Sequence, residues 1–339
     1  MAVQWGILST ARINDRVLAA IAASPLCEAA AVASRDEDRA RDYARGHGIP
    51  RAYGGYQTLL ADPGVEAVYI SAPNALHGEW TRRALEAGKH VLCEKPLSRS
   101  AELADSLFDV AERAGRLLSE AFMYRHHPQT SRLRELVDGG AIGSLALIRA
   151  SFSFPIGDPG DVRLSAELDG GALMDVGCYC VSAARLLAGE PASVNGWQTI
   201  GGDRVDVAFV GVLEHEHGVI SHFDAGIELA QRHELEVVGD QATLLVSDPW
   251  LCDAPGIELR RGGECERIAI PAADPYRLEV DNLAAAIRGE GEALLGRRDA
   301  VGQARAIEAL YAAAADGGPV KVVHGEPAAD GELAGGGRS

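Results

Sequence analysis

Lys95, Asp175 and Tyr179 are the residues of this 339-residue chain whose types and spacing suit proton transfer. Asp175 and Tyr179 stand four apart in Gly170-Gly171-Ala172-Leu173-Met174-Asp175-Val176-Gly177-Cys178-Tyr179, which sets both on one face of a helix entered through two glycines. A phenol and a carboxylate beside an ammonium form a proton-transfer group. The lysine charge favours tyrosinate, and the pair can take a proton from an alcohol while hydride leaves its carbon. Lys95 belongs to His90-Val91-Leu92-Cys93-Glu94-Lys95-Pro96, where an apolar run ends in two charges and a proline. Ligands of an open parallel sheet bind outside the carboxyl ends of its strands, so Glu94, Lys95 and Pro96 are placed where a nicotinamide would lie.

A second set of residues suits a dinucleotide. Gly6-Ile7-Leu8-Ser9-Thr10-Ala11 lies where a first strand turns into a first helix, with Arg12 and Ile13 next. There glycine lets backbone amides and the helix N-terminus approach a pyrophosphate. Only the first glycine is present; Leu8, Ser9 and Ala11 stand where others often occur. The second strand ends at Ala33, 22 residues after Ala11 (33 − 11 = 22), and is followed by Ser34-Arg35. An acidic residue there would bond the ribose 2′-hydroxyl of NAD, whereas a hydroxyl and a guanidinium suit a 2′-phosphate. The expected cofactor is therefore NADP(H) in preference to NAD, with Arg39 a helical turn further on despite the intervening Asp36. Ser71, Pro73, Asn74 and His77 follow the third strand in the same way, although His77 is equally suited to capping its helix.

The elements that must position these residues are legible as a rhythm. Apolar runs at Val3–Leu8, Glu28–Ala33, Val65–Ser71, His90–Cys93 and Leu117–Phe122 alternate with helical stretches at Ile13–Ala23, Glu37–His47, Leu76–Ala87 and Ala101–Ala114. Strand and helix in alternation predict βαβ units and a doubly wound parallel sheet. After about residue 145 come strands with few helices between them: 145–154, 194–199, 204–214, 219–225, 233–239 and 242–247. Their close succession predicts a large antiparallel sheet. One helix, Leu173–Leu187, falls after the first of these strands and another, Leu278–Ile287, follows them all. The expected organisation is an α/β domain over 1–122, an α+β domain over 123–323 whose last helices return to the first domain, and a disordered tail over 324–339.

Composition bounds the function. With 32 Lys+Arg against 49 Asp+Glu the net charge is −17, which opposes nucleic-acid and anionic-membrane partners. Apolar residues make up 47%, so a disordered chain is excluded. No apolar run was expected to approach a membrane span, and the start lacks a leader pattern, so the chain reads as cytosolic. Its six cysteines form no disulfide or zinc spacing and read as reduced, mostly buried thiols. His215-Glu216-His217 has no third ligand and reads as a solvated turn; no metal is expected. Cys178 and Cys180 are two apart on a helix and do not face each other.

The glycine turn, Ser34-Arg35, Glu94-Lys95-Pro96, Ala121-Phe122-Met123-Tyr124-Arg125-His126-His127-Pro128 and the Gly170–Tyr179 segment together resemble the glucose-fructose oxidoreductase and inositol dehydrogenase family (Gfo/Idh/MocA) over roughly residues 2–323. Within it the chain is similar to the NADP-dependent branch of dihydrodiol dehydrogenase, D-xylose 1-dehydrogenase and sugar ketoreductases. The inositol dehydrogenase branch carries histidine where this chain has Tyr179. The resemblance implies a Rossmann domain followed by an α+β domain with a large open sheet used for oligomer contacts, giving a homo-dimer or tetramer. It implies that Pro96 is a cis-proline, that Lys95 contacts the reacting oxygen and the nicotinamide ribose, that Tyr179 is the acid/base and that Asp175 positions substrate hydroxyls. Arg125 is a candidate contact for cofactor or substrate, Arg163 a candidate contact for a sugar hydroxyl, and His127 a structural residue. The expected activity is NADP-dependent hydride transfer at a hydroxyl or carbonyl of a sugar, polyol or related diol. Two other readings remain open: a non-redox glycoside-processing enzyme with tightly bound NAD, and a non-catalytic NADPH sensor.

Overall fold

The short apolar runs of the first 122 residues are strands covered on both faces, which is why they read as continuous rather than alternating. In the computed structural model, which describes residues 1–323, they are β1 (Val3–Leu8), β2 (Cys27–Ala33), β4 (Ala67–Ile70), β5 (His90–Glu94) and β6 (Leu118–Ala121), with a short half-buried β3 (Arg51–Tyr53) besides. The tail expected over 324–339 lies outside the described residues. Between the strands run α1 (Asn14–Ala23), α2 (Glu37–His47), α3 (Tyr56–Leu60), α4 (His77–Glu86) and α5 (Ala101–Ala114). All pairings are parallel, in the order β3-β2-β1-β4-β5-β6. This order reverses direction between β1 and β4, the crevice where dinucleotides bind. Local signals fix the helix ends: Asp36 and Ser100 cap α2 and α5, and Gly48 and Gly115 close them in the left-handed conformation.

The remainder forms α6 (Pro128–Asp138), β7 (Leu145–Pro155), a π-turn over Leu173–Gly177 that runs into α7 (Cys178–Ala188), then β8 (Pro191–Ile200), β9 (Asp206–His215), β10 (Ile220–Gly226), β11 (Glu228–Gly239), β12 (Thr243–Val246), β13 (Ile257–Arg261) and β14 (Glu264–Ile268). Then follow α8 (Pro275–Ile287), α9 (Arg297–Asp316) and β15 (Val320–Lys321). The nine strands lie in the order β14-β13-β12-β11-β7-β10-β9-β8-β15. Pairing is antiparallel throughout except between β7 and β10, which run parallel because the chain crosses through α7 between them. Helices α6 and α9, strands β3, β13, β14 and β15 and the short α3 are additions to the expected pattern.

One face of the large sheet packs Phe209, Leu213 and Phe223 against Cys178 and Val181 of α7 and Ile307 and Leu310 of α9. Its other face leaves Trp197 56%, Val210 44% and Ile220 43% exposed. The last helices return to the first sheet. Val280, Leu283 and Ala284 of α8 share a core with Trp5, Ile7 and Ile21, while Ala300, Val301 and Ala304 of α9 pack with Leu107 and Phe108. The stretch Ala166–Ala188 is, contrary to expectation, long and apolar enough to cross a bilayer by length and composition, but 78% of its most apolar window is buried inside the protein. It is a core helix.

Candidate active site

β5 delivers Lys95 to the crevice, and the Lys95–Pro96 peptide is cis, as the resemblance implies. The Lys95 Nζ donates to the Asp175 main-chain oxygen at 2.7 Å and to Asp175 Oδ1 at 3.3 Å. Arg163 Nη1 donates to the other carboxylate oxygen, Asp175 Oδ2, at 3.3 Å. The ammonium also lies 4.9 Å from the centroid of the Tyr179 ring, within cation–π range. The fold thus brings Lys95, Arg163, Asp175 and Tyr179 to one place. Burial works to discharge Lys95, but the charges of Asp175 and Glu94 outweigh it and hold the ammonium above its usual range.

Tyr179 departs from expectation in its electrostatics. Lys95 meets the face of the ring, and the hydroxyl instead points at Met123 Sδ, 3.6 Å away. Burial among Phe122, Tyr124, Phe152 and Trp250 pushes the phenol well above its usual pKa, so tyrosinate is disfavoured here. A thioether is a weak acceptor, so the hydroxyl is only lightly held. Glu94 turns away from the expected nicotinamide position: its carboxylate accepts from Tyr69 Oη and from the Lys95 N–H, and burial raises its pKa.

On the cofactor side, Ser9 adopts φ +113°, a region that L-residues other than glycine rarely enter. A hydrogen-bonded knot holds it there. Ser9 Oγ is 2.8 Å from Ser71 Oγ and accepts from the Ala11 N–H, Asn14 Nδ2 donates to the Ser9 carbonyl, and Ser71 Oγ donates to Asn14 Oδ1 at 2.6 Å. The N–H groups of Thr10, Arg12 and Ile13 have no acceptor among the described residues, and no side chain caps α1. Free amides at a helix start fit a pyrophosphate. Gly6, by contrast, is required by packing. It lies inside β1, where a Cβ would come within 2.7 Å of Leu59 Cδ2 and 2.9 Å of Val65 Cγ1.

Arg35 and Arg39 are exposed beside Tyr56 and have no ion-pair partner among the described residues. Asp36 between them is occupied as the α2 cap, accepting from the Arg39 N–H at 2.7 Å, and its own N–H donates to Ser34 Oγ at 3.3 Å. Two unpaired guanidiniums with the neighbouring carboxylate engaged fit a 2′-phosphate.

Other expected contacts take different duties. The His77 ring neither caps α4 nor opens to the crevice. It is buried, with Nδ1 2.9 Å from the Pro96 carbonyl and Nε2 2.8 Å from the Ala72 carbonyl, and burial lowers its pKa. It braces the Pro96 turn. Arg125 points inward, donating to Ser182 Oγ and Asp299 Oδ1, both at 3.2 Å, and so ties the chain to α9. Pro73 starts a turn closed by the Leu76 N–H, and Asn74 Nδ2 reaches the Asp169 carbonyl at 2.8 Å. His127 is structural, capping α6 through the Gln129 N–H. His215 is no solvated residue: it is buried between the Gly189 carbonyl and Ser221 Oγ.

Sequence reasoning missed Asn14 and Asp206. Asp206 accepts from the Leu173 N–H at 2.7 Å and from Tyr311 Oη at 2.8 Å, seating the turn that carries Asp175. Burial raises its pKa to about 6. Gly171, at φ +121°, passes so close that a Cβ would overlap Asp206 Oδ1. Asp206 stands 33 positions past Leu173 in a strand, and only the paired glycines hint that something crowds that turn.

Comparison with known proteins agrees with this geometry. Residues 3–122 match the model of an oxidoreductase family with an NAD-binding Rossmann fold, and residues 130–245 match the GFO/IDH/MocA C-terminal domain. The chain is 40% identical over 326 residues to D-xylose 1-dehydrogenase (NADP(+)) 2 of Haloferax volcanii, covering 94% of this chain and 100% of that one. It is 36% identical over 219 residues to trans-1,2-dihydrobenzene-1,2-diol dehydrogenase of Xenopus laevis, covering 63% of this chain and 66% of that one. Among solved structures, a 3-ketoreductase from Actinomadura kijaniata in complex with NADP and TDP-benzene superposes with a TM-score of 0.88 at 34% identity, over 92% of this chain and 98% of that one. Variant forms of that ketoreductase replace a lysine and a tyrosine 84 positions apart, the separation of Lys95 and Tyr179 here (179 − 95 = 84). With both halves of the chain matched and the Haloferax relative covered end to end, the chain belongs to the Gfo/Idh/MocA family of oxidoreductases.

Proposed function

We propose that this chain is an NADP(H)-dependent oxidoreductase that moves a hydride between the nicotinamide and a hydroxyl or carbonyl carbon of a sugar, polyol or related diol. The observation that carries the reading is the ammonium of Lys95, kept charged at the end of β5 beside Asp175, with the Tyr179 ring beneath it. Bound NADP(H) supplies or accepts the hydride. The chain's own residues do the rest. The Thr10, Arg12 and Ile13 amides seat the pyrophosphate, and Arg35 and Arg39 take the 2′-phosphate.

Lys95 stabilises the developing alkoxide as a fixed charge in a largely dry site. Tyr179 exchanges its weak contact with Met123 for the substrate oxygen and carries the proton, while Asp175 and Arg163 hold neighbouring hydroxyls. The raised phenol pKa suits proton donation to an alkoxide, the reductive direction. We assign residues 1–122 and 123–323 to two domains with the crevice between them, and propose that the exposed apolar face of the large sheet joins copies of the chain. The five buried free thiols support a reducing compartment such as the cytosol.

The test is a panel of aldoses, polyols, ketosugars and trans-diols with NADP+ or NADPH and with the NAD pair, followed by reduced-cofactor fluorescence. Tyr179→Phe and Lys95→Met are expected to lower kcat/KM by at least ~10²-fold, the scale of a lost general acid/base, with NADPH binding retained. Undiminished turnover in either variant would remove the assignment.

A further inference from the structure

Residues 156–171 link β7 to the Asp175 turn and contact the segments that follow β1 and β4. Asn74 Nδ2 holds the Asp169 carbonyl, and Arg12 Nη2 stands 3.4 Å from Asp161 Oδ2. Asp161 pairs with Arg12 of the first sheet's turn and with Arg163 of its own segment. Its side chain is only 7% exposed although its partner Arg12 is 86% exposed. An ion pair so open to water contributes little. The substantial partner of Asp161 is therefore Arg163.

That contact is bidentate: Arg163 Nε donates to Asp161 Oδ1 and Nη2 to Oδ2, both at 2.8 Å, and the Arg163 N–H adds a bond to Oδ1 at 3.0 Å. A fork-to-fork pair fixes the plane of a guanidinium as well as its place. Hydrogen bonding from Arg163 keeps Asp161 ionised below the usual carboxylate range. With Nε and one Nη2 hydrogen engaged there, Nη1 is aimed at Asp175 Oδ2, and one hydrogen on each terminal nitrogen is left over. Lys95 and Arg163 thereby grip opposite oxygens of one carboxylate. Their donors are separated by about the span of a carboxylate and two hydrogen bonds. A substrate with oxygens on adjacent carbons places the reacting one on Lys95 and its neighbour on Arg163.

We propose that Asp161 is a positioning residue that orients Arg163 so that its spare N–H groups bind the substrate oxygen next to the reacting one, selecting substrates with oxygens on adjacent carbons. The inference rests on the reading of Lys95, Asp175 and Tyr179 as the reacting cluster. Asp161 itself touches neither substrate nor the transferred hydride. It acts through Arg163, and removing it loosens ground-state binding more than the chemical step.

The experiment uses the full-length enzyme and the aldose turned over fastest in the panel above. Asp161→Asn and Arg163→Ala are each expected to raise KM for that sugar at least ~10-fold, the scale of a lost hydrogen bond to a charged group, with kcat within about threefold. The double variant is expected to be no worse than Arg163→Ala alone, because one residue works through the other. Asp161→Glu, which retains the charge, is expected to recover part of the loss. Thermal melts of each variant check folding, and Asp161→Ala replaces Asp161→Asn if the latter does not fold. An unchanged KM, a loss confined to kcat, or effects that multiply in the double variant would overturn the role of Asp161. Lys95→Met run in parallel separates the two failures: full activity there defeats the reacting cluster itself, whereas inactivity there with an unaffected Asp161→Asn defeats only this inference.

Discussion

Lys95 is kept charged by contest: burial opposes the ammonium and neighbouring carboxylates restore it, with the carboxylates winning. The same low-dielectric setting raises the Tyr179 phenol, and there the negative charges of Glu94 and Asp175 add to burial instead of opposing it. These opposite balances a few ångströms apart separate a fixed cation from a proton donor. The proposed 2′-phosphate seat is simpler. Arg35 and Arg39 are unpaired among the described residues, and Asp36, whose charge would repel a phosphate, is held in the α2 cap. Arg35→Ala is expected to raise KM for NADP+ by about 10- to 100-fold, corresponding to ~1.5–3 kcal/mol for a charge-assisted hydrogen bond, and to leave KM for NAD+ nearly unchanged. Steady-state kinetics with both coenzymes decide this. An equal loss for both would place Arg35 elsewhere on the cofactor.

At the scale of elements, the turn from β1 to α1, proposed to seat the pyrophosphate, has its one glycine in an unexpected place. Gly6 serves packing against α3 and Val65, while Ser9 takes the left-handed backbone that a glycine would hold. That conformation costs about 1–2 kcal/mol for an L-residue, and the Ser71 and Asn14 hydrogen bonds offset it. Gly6→Ala is accordingly expected to destabilise the protein by about 1–3 kcal/mol through overpacking, with the NADPH Kd of the folded protein unchanged. Chemical denaturation and fluorescence titration measure the two separately. Lost NADPH affinity at undiminished stability would return Gly6 to the pyrophosphate site. The second turn of importance, Leu173–Gly177, is π-helical and is seated by Asp206 from β9, a strand the sequence pattern found without revealing its purpose.

At the scale of the molecule, α9 joins the two sheets. Its first turns pack on α5, where Arg297 pairs with Asp105, Asp109 and Glu112, and its later turns cover the large sheet. The opposite face of that sheet has no covering layer in a single copy. Trp197, Val210 and Ile220 stand out there beside the Arg149–Glu236 pair, an apolar patch with a charged margin, as protein interfaces have. Val210→Glu is expected to convert an oligomer to a monomer at micromolar concentration, read by sedimentation equilibrium. A native enzyme already monomeric there would refute the assignment of this face.

The alternation of β and α, the antiparallel run after residue 145 and the Lys95, Asp175 and Tyr179 motifs were legible because each is written in local spacing: a strand period, a helix face, a charge pair before proline. Ser34-Arg35 was legible for the same reason, since its place after the second strand is a matter of counting. The bonds of His77, Arg125 and Glu94 were not, because each is made with groups from distant parts of the chain that compete for the same side chain. Nor did spacing reveal that Asp206 seats the Asp175 turn, or that Asp161 and Arg163 lie against it. Residue types set which chemistry was possible. Tertiary packing decided which groups stay charged, which stay free and which are spent as braces, since burial and partner choice arise only when separate elements meet.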